Sequence, residues 1–276
     1  MDSATIMKER IITALIMLAV IAGILFFAPS LFTPLVAVVL GIATWEWCRI
    51  CQFRQINAYG VAIATVALWV IASVYPAVLT ALLILSALHY LYAIRLIVNY
   101  ERIDNYRIHR YHLRWFGPVL LSALAASFLY LFHPSGSLMS SSEDAQSLLF
   151  IIMVIAGADS GAYFVGRAMG RHKLAPRVSP KKTIEGLIGG LVAVTLVVAV
   201  FGFMVEGWYL GFWQLLFISV VAALFSVIGD LFISIIKRQN GIKDTSQILP
   251  GHGGILDRVD GLLAGVPVFY LLEQFL

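Results

Sequence analysis

Residues 211–239 read GFWQLLFISVVAALFSVIGDLFISIIKRQ, and this stretch decides the class of fold. A membrane-spanning helix needs about 20 mostly apolar residues, and residues 211–235 supply them with a single charge, Asp230. Lys237 and Arg238 follow, as is typical where a helix leaves the bilayer on the cytoplasmic side. The stretch therefore predicts a spanning helix in an integral membrane protein.

The whole chain has the composition of a membrane protein. Hydrophobic residues make up 61% of the 276 residues and charged residues only 12%, whereas a soluble domain carries roughly 25% charged residues. The formal net charge of +4 does not point to nucleic acid, because the basic residues lie beside apolar runs, where membrane topology explains them. We expect the lipid bilayer as a partner and no nucleic acid.

Apolar runs of spanning length recur along the chain and predict an all-α, polytopic transmembrane helical bundle. The first run follows Lys8 and Arg10 and is longer than the roughly 7–15 apolar residues of a signal peptide, so we predict an uncleaved span. The nine predicted spans lie near residues 11–28, 31–48, 59–75, 77–97, 116–132, 147–166, 184–205, 211–235 and 261–276.

The basic residues also predict the orientation of the bundle. All 19 lysines and arginines lie before the first predicted span or after the second, fourth, sixth or eighth, which places them on one side. Cytoplasmic loops are enriched in Lys and Arg, so we predict a cytoplasmic N-terminus and an external C-terminus. The prediction is a multi-pass protein of the cytoplasmic (inner) membrane whose active site faces the cytoplasm.

The two halves of the chain differ in character. Residues 1–145 carry few charges within their apolar runs and predict a membrane scaffold, whereas charged residues and glycines interrupt the runs from Gly157 onward. We therefore assign the catalytic spans and cytoplasmic loops to residues 146–276. Cys48 and Cys51 have the spacing of half a zinc site or a redox pair, but no second Cys or His pair accompanies them, so we predict reduced thiols.

Asp159 lies within the sixth predicted span, in the run AGADSGAYFVGR. A carboxylate in hydrocarbon is costly, so it predicts either a wet functional cavity or a structural hydrogen bond with Ser160 or an arginine. Arg167 and Arg171 lie four residues apart at the cytoplasmic end of this helix and share one face. They can clamp phosphates or simply anchor the helix.

The segment 172–190 reads HKLAPRVSPKKTIEGLIGG and predicts a phosphate site. Ser179 and Pro180 resemble a helix start, and a helix N-terminus beside lysines binds phosphate readily. The alternative is a basic loop attracted to anionic lipid. The candidate substrate-binding residues here are Lys173, Ser179, Lys181, Lys182, Thr183 and Glu185.

Asp230, Ser234 and Lys237 follow the spacing i, i+4, i+7, so we expect them to line one helical face. Such a stripe directs a carboxylate, a hydroxyl and an ammonium into one cavity. The alternative is an internal pair between Asp230 and Lys237, which is weaker because a lysine at this depth reaches the interface.

The run KDTSQILPGHGGILDRVDG, residues 243–261, carries the strongest signal of chemistry. Its glycines allow a ligand to approach the backbone closely, and Asp257 and Asp260 share a helical face. Mg²⁺ typically binds one or two carboxylates plus substrate phosphates, so Asp230 and Asp257 can hold it, with Asp244 and Asp260 as further candidates. His252 is either a general base or a loop-stabilising residue.

These residues resemble the phosphatidate cytidylyltransferase family, also called CDP-diacylglycerol synthases. The family signature is approximately S-x-x-K-R-x4-K-D-x5-P-G-H-G-G-x-x-D-R-x-D, and residues 234–260 fit it as SIIKRQNGIKDTSQILPGHGGILDRVD. The upstream runs GADSGAYFVGRAMGRHKLAPRVSPKKTIEG and IGD are also similar to that family. The likeness of motifs covers roughly residues 157–260.

The resemblance implies transfer of a cytidylyl group from CTP to phosphatidic acid, with Mg²⁺ required, by a homodimer. Whether one cation or two bind stays open. The resemblance implies metal binding by Asp230, Asp257 and Asp260, and the implied catalytic residues are Asp230, Ser234, Lys237, Lys243, Asp244 and Asp257. Besides the residues of segment 172–190, we assign substrate binding to Asp159, Arg167, Arg171, Arg238, Gly251, His252, Gly253, Gly254 and Arg258.

Two other functions share some of these features. A CTP-dependent lipid kinase would use the same nucleotide but needs a base for a hydroxyl, and the run from Gly251 to Asp260 argues against it. A secondary transporter of an anionic solute often has inverted repeats and a site near the midplane. No repeat is visible here, and the predicted charged cluster lies on one side.

Overall fold

The computed structural model describes residues 16, 19–21, 23–104, 106, 108, 110–132, 142–204, 210–249 and 253–276, excluding the side chains of 110–112, 142–145 and 203–204. After a 3-10 turn (Pro29–Leu31), the helices are α1 (Phe32–Ile50), α2 (Gln55–Val74), α3 (Pro76–Arg102), α4 (Arg110–Phe132), α5 (Ser142–Met169), α6 (Ile184–Met204), α7 (Phe212–Gln239), α8 (Leu256–Val259) and α9 (Leu262–Glu273). Strands β1 (Lys173–Ala175) and β2 (Ser179–Thr183) form a hairpin between α5 and α6.

The prediction of an all-α membrane bundle is confirmed, although the number of spans differs. In the described part of the chain, seven helices, α1 to α7, are long and apolar enough to cross a membrane. The predicted ninth span is α9, whose 12 residues rise only about 18 Å, short of a hydrocarbon core of about 30 Å. Eight of the 18 residues of the predicted first span, 11–15, 17, 18 and 22, lie outside the described residues.

Glycines bring α5 and α6 into close contact. A methyl group at Gly161 would lie 2.6 Å from the carbonyl oxygen of Gly189, and one at Gly190 would lie 2.7 Å from that of Ala158. Small residues allow membrane helices to approach in this way, which van der Waals packing then stabilises. The contact fixes the helix that carries Asp159 against the helix that follows the hairpin.

The hairpin corrects the predicted helix start at Ser179. Lys173 pairs with Thr183 and Ala175 with Ser179 in an antiparallel ladder, so Ser179 and Pro180 lie in β2. Helix α6 begins at Ile184, and the Thr183 side-chain oxygen accepts the Gly186 N–H at 3.1 Å. Strand pairing therefore extends to the residue that caps the helix, and Thr183 is that cap.

Segments predicted to share one side of the membrane meet at one end of the bundle. Glu101, at the end of α3, accepts the backbone N–H groups of Arg177 and Val178 at 3.0 and 2.9 Å. Gln239, in the last turn of α7, donates to the Tyr106 carbonyl at 3.1 Å. The hairpin, the segment after α3 and the end of α7 thus form one polar end, as the distribution of basic residues requires.

Buried aromatic residues connect helices that are far apart in the sequence. Trp47 of α1 is fully buried and its indole N–H donates to the Leu113 carbonyl at 3.2 Å. Tyr90 of α3 donates its hydroxyl to the Leu263 carbonyl of α9 at 2.5 Å. Cys48 and Cys51 are buried and are not joined by a disulfide bond, in agreement with the prediction of reduced thiols.

Candidate active site

Asp257 is a buried carboxylate at the polar end, and hydrogen-bond donors surround both of its oxygens. It lies in α8 and is buried, with Oδ1 at 2.7 Å from Lys237 Nζ. Its Oδ2 accepts the Thr245 N–H at 2.8 Å and the Gly254 N–H at 3.0 Å, and lies 3.0 Å from the Thr245 hydroxyl. Burial alone would raise the pKa of Asp257, but these donors and the Lys237 charge hold that pKa below its usual range. Asp257 is therefore ionised at neutral pH.

Asp230 is the centre of a second ion pair. Its Oδ2 lies 2.5 Å from Lys182 Nζ at the end of the hairpin, and its Oδ1 accepts the Ser234 hydroxyl at 3.3 Å. Asp230 and Ser234, which were predicted to share one face of α7, are therefore in contact. Lys237 of the same stripe reaches Asp257 across the site.

Asp260 stands next to Asp230, and the two carboxyl groups are close enough for each to influence the charge of the other. Burial, and next the charge of Asp230, raise the pKa of Asp260 well above its usual range. Oδ1 of Asp260 accepts the Gly261 N–H at 2.8 Å. A cation beside both carboxyl groups would relieve the repulsion between them when both are ionised.

Two adjacent glycines let the backbone pass close to these groups. Gly253 has a φ of +84°, which favours glycine, and a methyl group there would lie 2.9 Å from Asp257 Oδ2. A methyl group at Gly254 would overlap the Thr245 hydroxyl. Gly251 and His252 lie outside the described residues.

Glu46 is a member of the site that we did not predict from the sequence. It lies in α1, is fully buried, and accepts hydrogen bonds from the loops around Asp257. The signal was present, since Glu46 is a carboxylate in a predicted span, as are Asp159 and Asp230. Its partners could not be inferred, because they lie about 200 residues further along the chain.

Two cavities flank the carboxylates. The first, about 200 Å³, lies between α5, the hairpin, α6 and α7, and Asp159 and Lys182 line it among mostly apolar groups. The second, about 670 Å³, is polar and lies between the ends of α1 and α7 and the loop after α7. Its lining residues include Arg49, Asn240, Lys243, Asp244, Thr245 and Gln247. Both cavities adjoin an ion pair, the first at Lys182 and the second at Thr245 beside Asp257.

The other predicted site residues lie around this centre with different surroundings. Arg167 donates to the Tyr163 hydroxyl at 2.9 Å, and Glu185 accepts the N–H groups of Arg171 and His172 at the base of the hairpin. Glu185 is thus engaged within the protein. The side chains exposed to solvent are Arg167, Arg171, Lys173, Lys181, Arg238, Lys243, Asp244 and Arg258.

The donor set can be compared with the needs of Mg²⁺. Within the described residues, no group of three or more His, Cys, Asp or Glu side chains is placed to hold a metal ion. Mg²⁺ does not need such a cage, because it takes one or two carboxylates and completes its shell with water and substrate phosphates. The adjacent Asp230 and Asp260 fit that requirement, and Oδ1 of Asp257 is the oxygen with fewer donors.

Comparison with known proteins gives a consistent result over nearly the whole chain. The model of the Cytidylyltransferase family matches residues 8–276. A phosphatidate cytidylyltransferase of Pseudomonas aeruginosa is 37% identical over 269 residues, covering 96% of each chain. A phosphatidate cytidylyltransferase of Haemophilus influenzae is 32% identical over 290 residues, covering 95% of this chain and 97% of the relative.

A more distant bacterial relative shows higher identity over a shorter region. The phosphatidate cytidylyltransferase of Staphylococcus saprophyticus is 40% identical over 152 residues, covering 55% of this chain and 56% of the relative.

Proposed function

Because the chain belongs to the cytidylyltransferase family, we propose that it transfers the cytidylyl group of CTP to phosphatidic acid, giving CDP-diacylglycerol and pyrophosphate. The observation that carries the proposal is the pair of lysine–carboxylate contacts, Lys182 with Asp230 and Lys237 with Asp257, at one polar end of a membrane bundle. Charge-neutralising groups at this position serve a reaction between two anions at a bilayer surface.

The bonds that change define what the site must do. A phosphate oxygen of phosphatidic acid forms a bond to the α-phosphorus of CTP. The bond from the α-phosphorus to the oxygen that bridges it to the β-phosphorus breaks. Pyrophosphate leaves with the electron pair. The attacking oxygen is already an anion at neutral pH, so no side chain has to remove a proton. The main tasks are to position two anions and to offset their charge.

The two cavities suggest how the substrates are divided. The apolar cavity beside Lys182 opens among membrane helices and suits the phosphate and upper acyl groups of the lipid. The polar cleft of about 670 Å³ lies within the size range of small-ligand pockets, about 300–1,000 Å³, and suits the nucleotide. Lys182 and Lys237 then stand between the substrates. Either lysine can pass from its carboxylate to an incoming phosphate with little movement.

Mg²⁺ is the cofactor that we propose for this transfer. Asp230 and Asp260 would hold it, and Asp257 would contribute Oδ1 if Lys237 turned to a phosphate; a second cation can be accommodated by the same carboxylates. Bound there, the ion would supply positive charge to the substrate phosphates. The protein's part is to keep Asp257 ionised through its fixed donors and to hold Asp230 against Lys182.

We also propose the membrane arrangement and assembly predicted from the sequence. The N-terminus and the polar end would face the cytoplasm of the inner membrane, where CTP is available, and the protein would act as a homodimer. Cysteine labelling from either side tests the orientation, and the buried Cys48 and Cys51 give little background. Cross-linking in native membranes tests the dimer.

The decisive assay follows two labels of CTP in parallel. Purified protein in detergent receives phosphatidic acid, Mg²⁺ and CTP labelled either in cytidine or at the γ-phosphate. We expect only the cytidine label to enter lipid, and EDTA and Asp257→Asn to abolish its transfer. Asp104→Asn, an exposed carboxylate paired with Arg177, serves as the matched control and keeps full activity. Transfer of the γ-label instead would identify a lipid kinase and refute the proposal.

A further inference from the structure

We infer that Glu46 is a positioning residue for the transfer: from α1 it holds the two loop segments that fix the Asp257 carboxylate, and its effect on rate rests on the proposed function. Glu46 is fully buried and lies in the half of the chain that was predicted to be a membrane scaffold. It touches neither of the two cavities, so its effect on the reaction passes through other residues.

The contacts of Glu46 form a symmetric clamp. Its Oε1 accepts the Ser246 hydroxyl at 2.5 Å and the Ile255 N–H at 3.1 Å. Its Oε2 accepts the Leu256 N–H at 2.7 Å and lies 3.0 Å from the Thr245 hydroxyl. Each carboxylate oxygen thus holds one group from the loop after α7 and one from the start of α8. The two segments cannot separate without breaking bonds to Glu46.

The same two segments carry the donors to Asp257. The N–H of Thr245 and that of Gly254, which precedes Ile255, both point to Oδ2 of Asp257. The Thr245 hydroxyl stands between the carboxylates, 3.0 Å from each, and its single proton can go to only one at a time. A change at Glu46 therefore reaches Asp257 by two short routes. One passes through Thr245, and the other passes from Ile255 to the adjacent Gly254.

A carboxylate is the group that this position requires. Two backbone N–H groups and two hydroxyls surround its two oxygens, and each oxygen accepts one of the N–H groups. A glutamine replaces one oxygen with an NH₂ group, which then faces a buried backbone N–H whichever way the amide turns. Glu46→Gln thus keeps the shape and releases one end of the clamp.

Activity measurements distinguish positioning from general stability. In Glu46→Gln we expect kcat to fall about 10- to 100-fold, the range for partners that orient a metal or catalytic ligand, with the KM for phosphatidic acid unchanged. Thr245→Val removes the shared hydroxyl, and the double variant should lose less than the product of the two single losses. Losses that multiply would overturn the inference.

A matched control lies two residues away on the same helix. Thr44 is also fully buried, and its hydroxyl donates within α1, to the Leu40 carbonyl at 2.8 Å. Thr44→Val should keep the kcat of the wild-type protein, and an equal loss there would overturn the inference. Ser246→Ala removes one donor and provides a milder variant, with a smaller loss of kcat, should Glu46→Gln not fold.

Amide hydrogen exchange tests the clamp without any assay of transfer. Glu46→Gln should speed exchange in residues 244–248 and 253–257, and Thr44→Val should not. Unchanged exchange in Glu46→Gln would overturn the clamp, even in an active enzyme. If the wild-type protein transferred no cytidylyl group while the two variants showed these exchange rates, the proposed function would be refuted and the clamp would stand.

Discussion

Replacing Lys237 by methionine removes the positive partner of a buried carboxylate. The side chains of Lys237 and Asp257 are 12% and 4% exposed, so the pair is screened little by solvent. Breaking such a pair costs about 3–5 kcal/mol because a charge is left buried and unpaired. Oδ2 of Asp257 keeps its donors from Thr245 and Gly254, which hold part of that charge, so we expect about 3 kcal/mol.

Thermal unfolding in one detergent, without substrates, measures this loss. At about 2 °C per kcal/mol for a chain of this size, Lys237→Met should lower the Tm by about 6 °C. Arg177→Met breaks the exposed pair between Arg177 and Asp104 and should leave the Tm unchanged. If Lys237→Met lowered the Tm no more than Arg177→Met, the reasoning about a buried pair would be refuted.

Three further predictions concern the same end of the bundle. The pKa of Asp257 is depressed, so its pair with Lys237 stabilises the fold fully above the unfolded pKa of about 3.9 and less as pH falls through the folded pKa. The Tm difference between the wild type and Lys237→Met should therefore shrink only in acid. A difference that grew on acidification would contradict this. Because the pKa of Asp260 is raised, Mg²⁺ binding should release a proton and tighten with rising pH; calorimetry in two buffers of different ionisation enthalpy measures the release, which Asp260→Asn should abolish. Gly254→Ala should reduce cytidylyl transfer, because its methyl group would lie 2.7 Å from the Glu46 carboxylate. Gly60→Ala has open space around its methyl group and should retain the wild-type rate.

The class of fold could be predicted because hydrocarbon imposes strict limits on a sequence. In a bilayer the backbone must satisfy its own hydrogen bonds, so long apolar runs such as 211–235 become helices whatever their neighbours are. The ends of the helices were less predictable. Residues 179–183 have features of a helix start, but pairing with residues 173–175 is a contact between segments, and it makes them a strand.

Candidate residues for the polar end could be chosen from the sequence, but the contacts between them could not. Asp230, Asp257 and Lys237 were identified from charges placed in or beside apolar runs. The sequence alone did not show that Lys182 pairs with Asp230, because that contact depends on how the hairpin folds back over α7. Glu46 was missed for the same reason, since its partners follow it by roughly 200 residues in the chain.

The hydrogen bonds from the hairpin tip to Glu101 bear on how far this protein is modular. The hairpin brings Lys182 to Asp230, and two backbone N–H groups of its turn donate to Glu101 in the last helical turn of α3. A chimaera that joined residues 146–276 to foreign helices would contain the hairpin but lack the Glu101 carboxylate that binds its turn. The position of Lys182 therefore depends on an acidic residue in the first half of the chain, and a functional graft of residues 146–276 has to include an acceptor equivalent to Glu101.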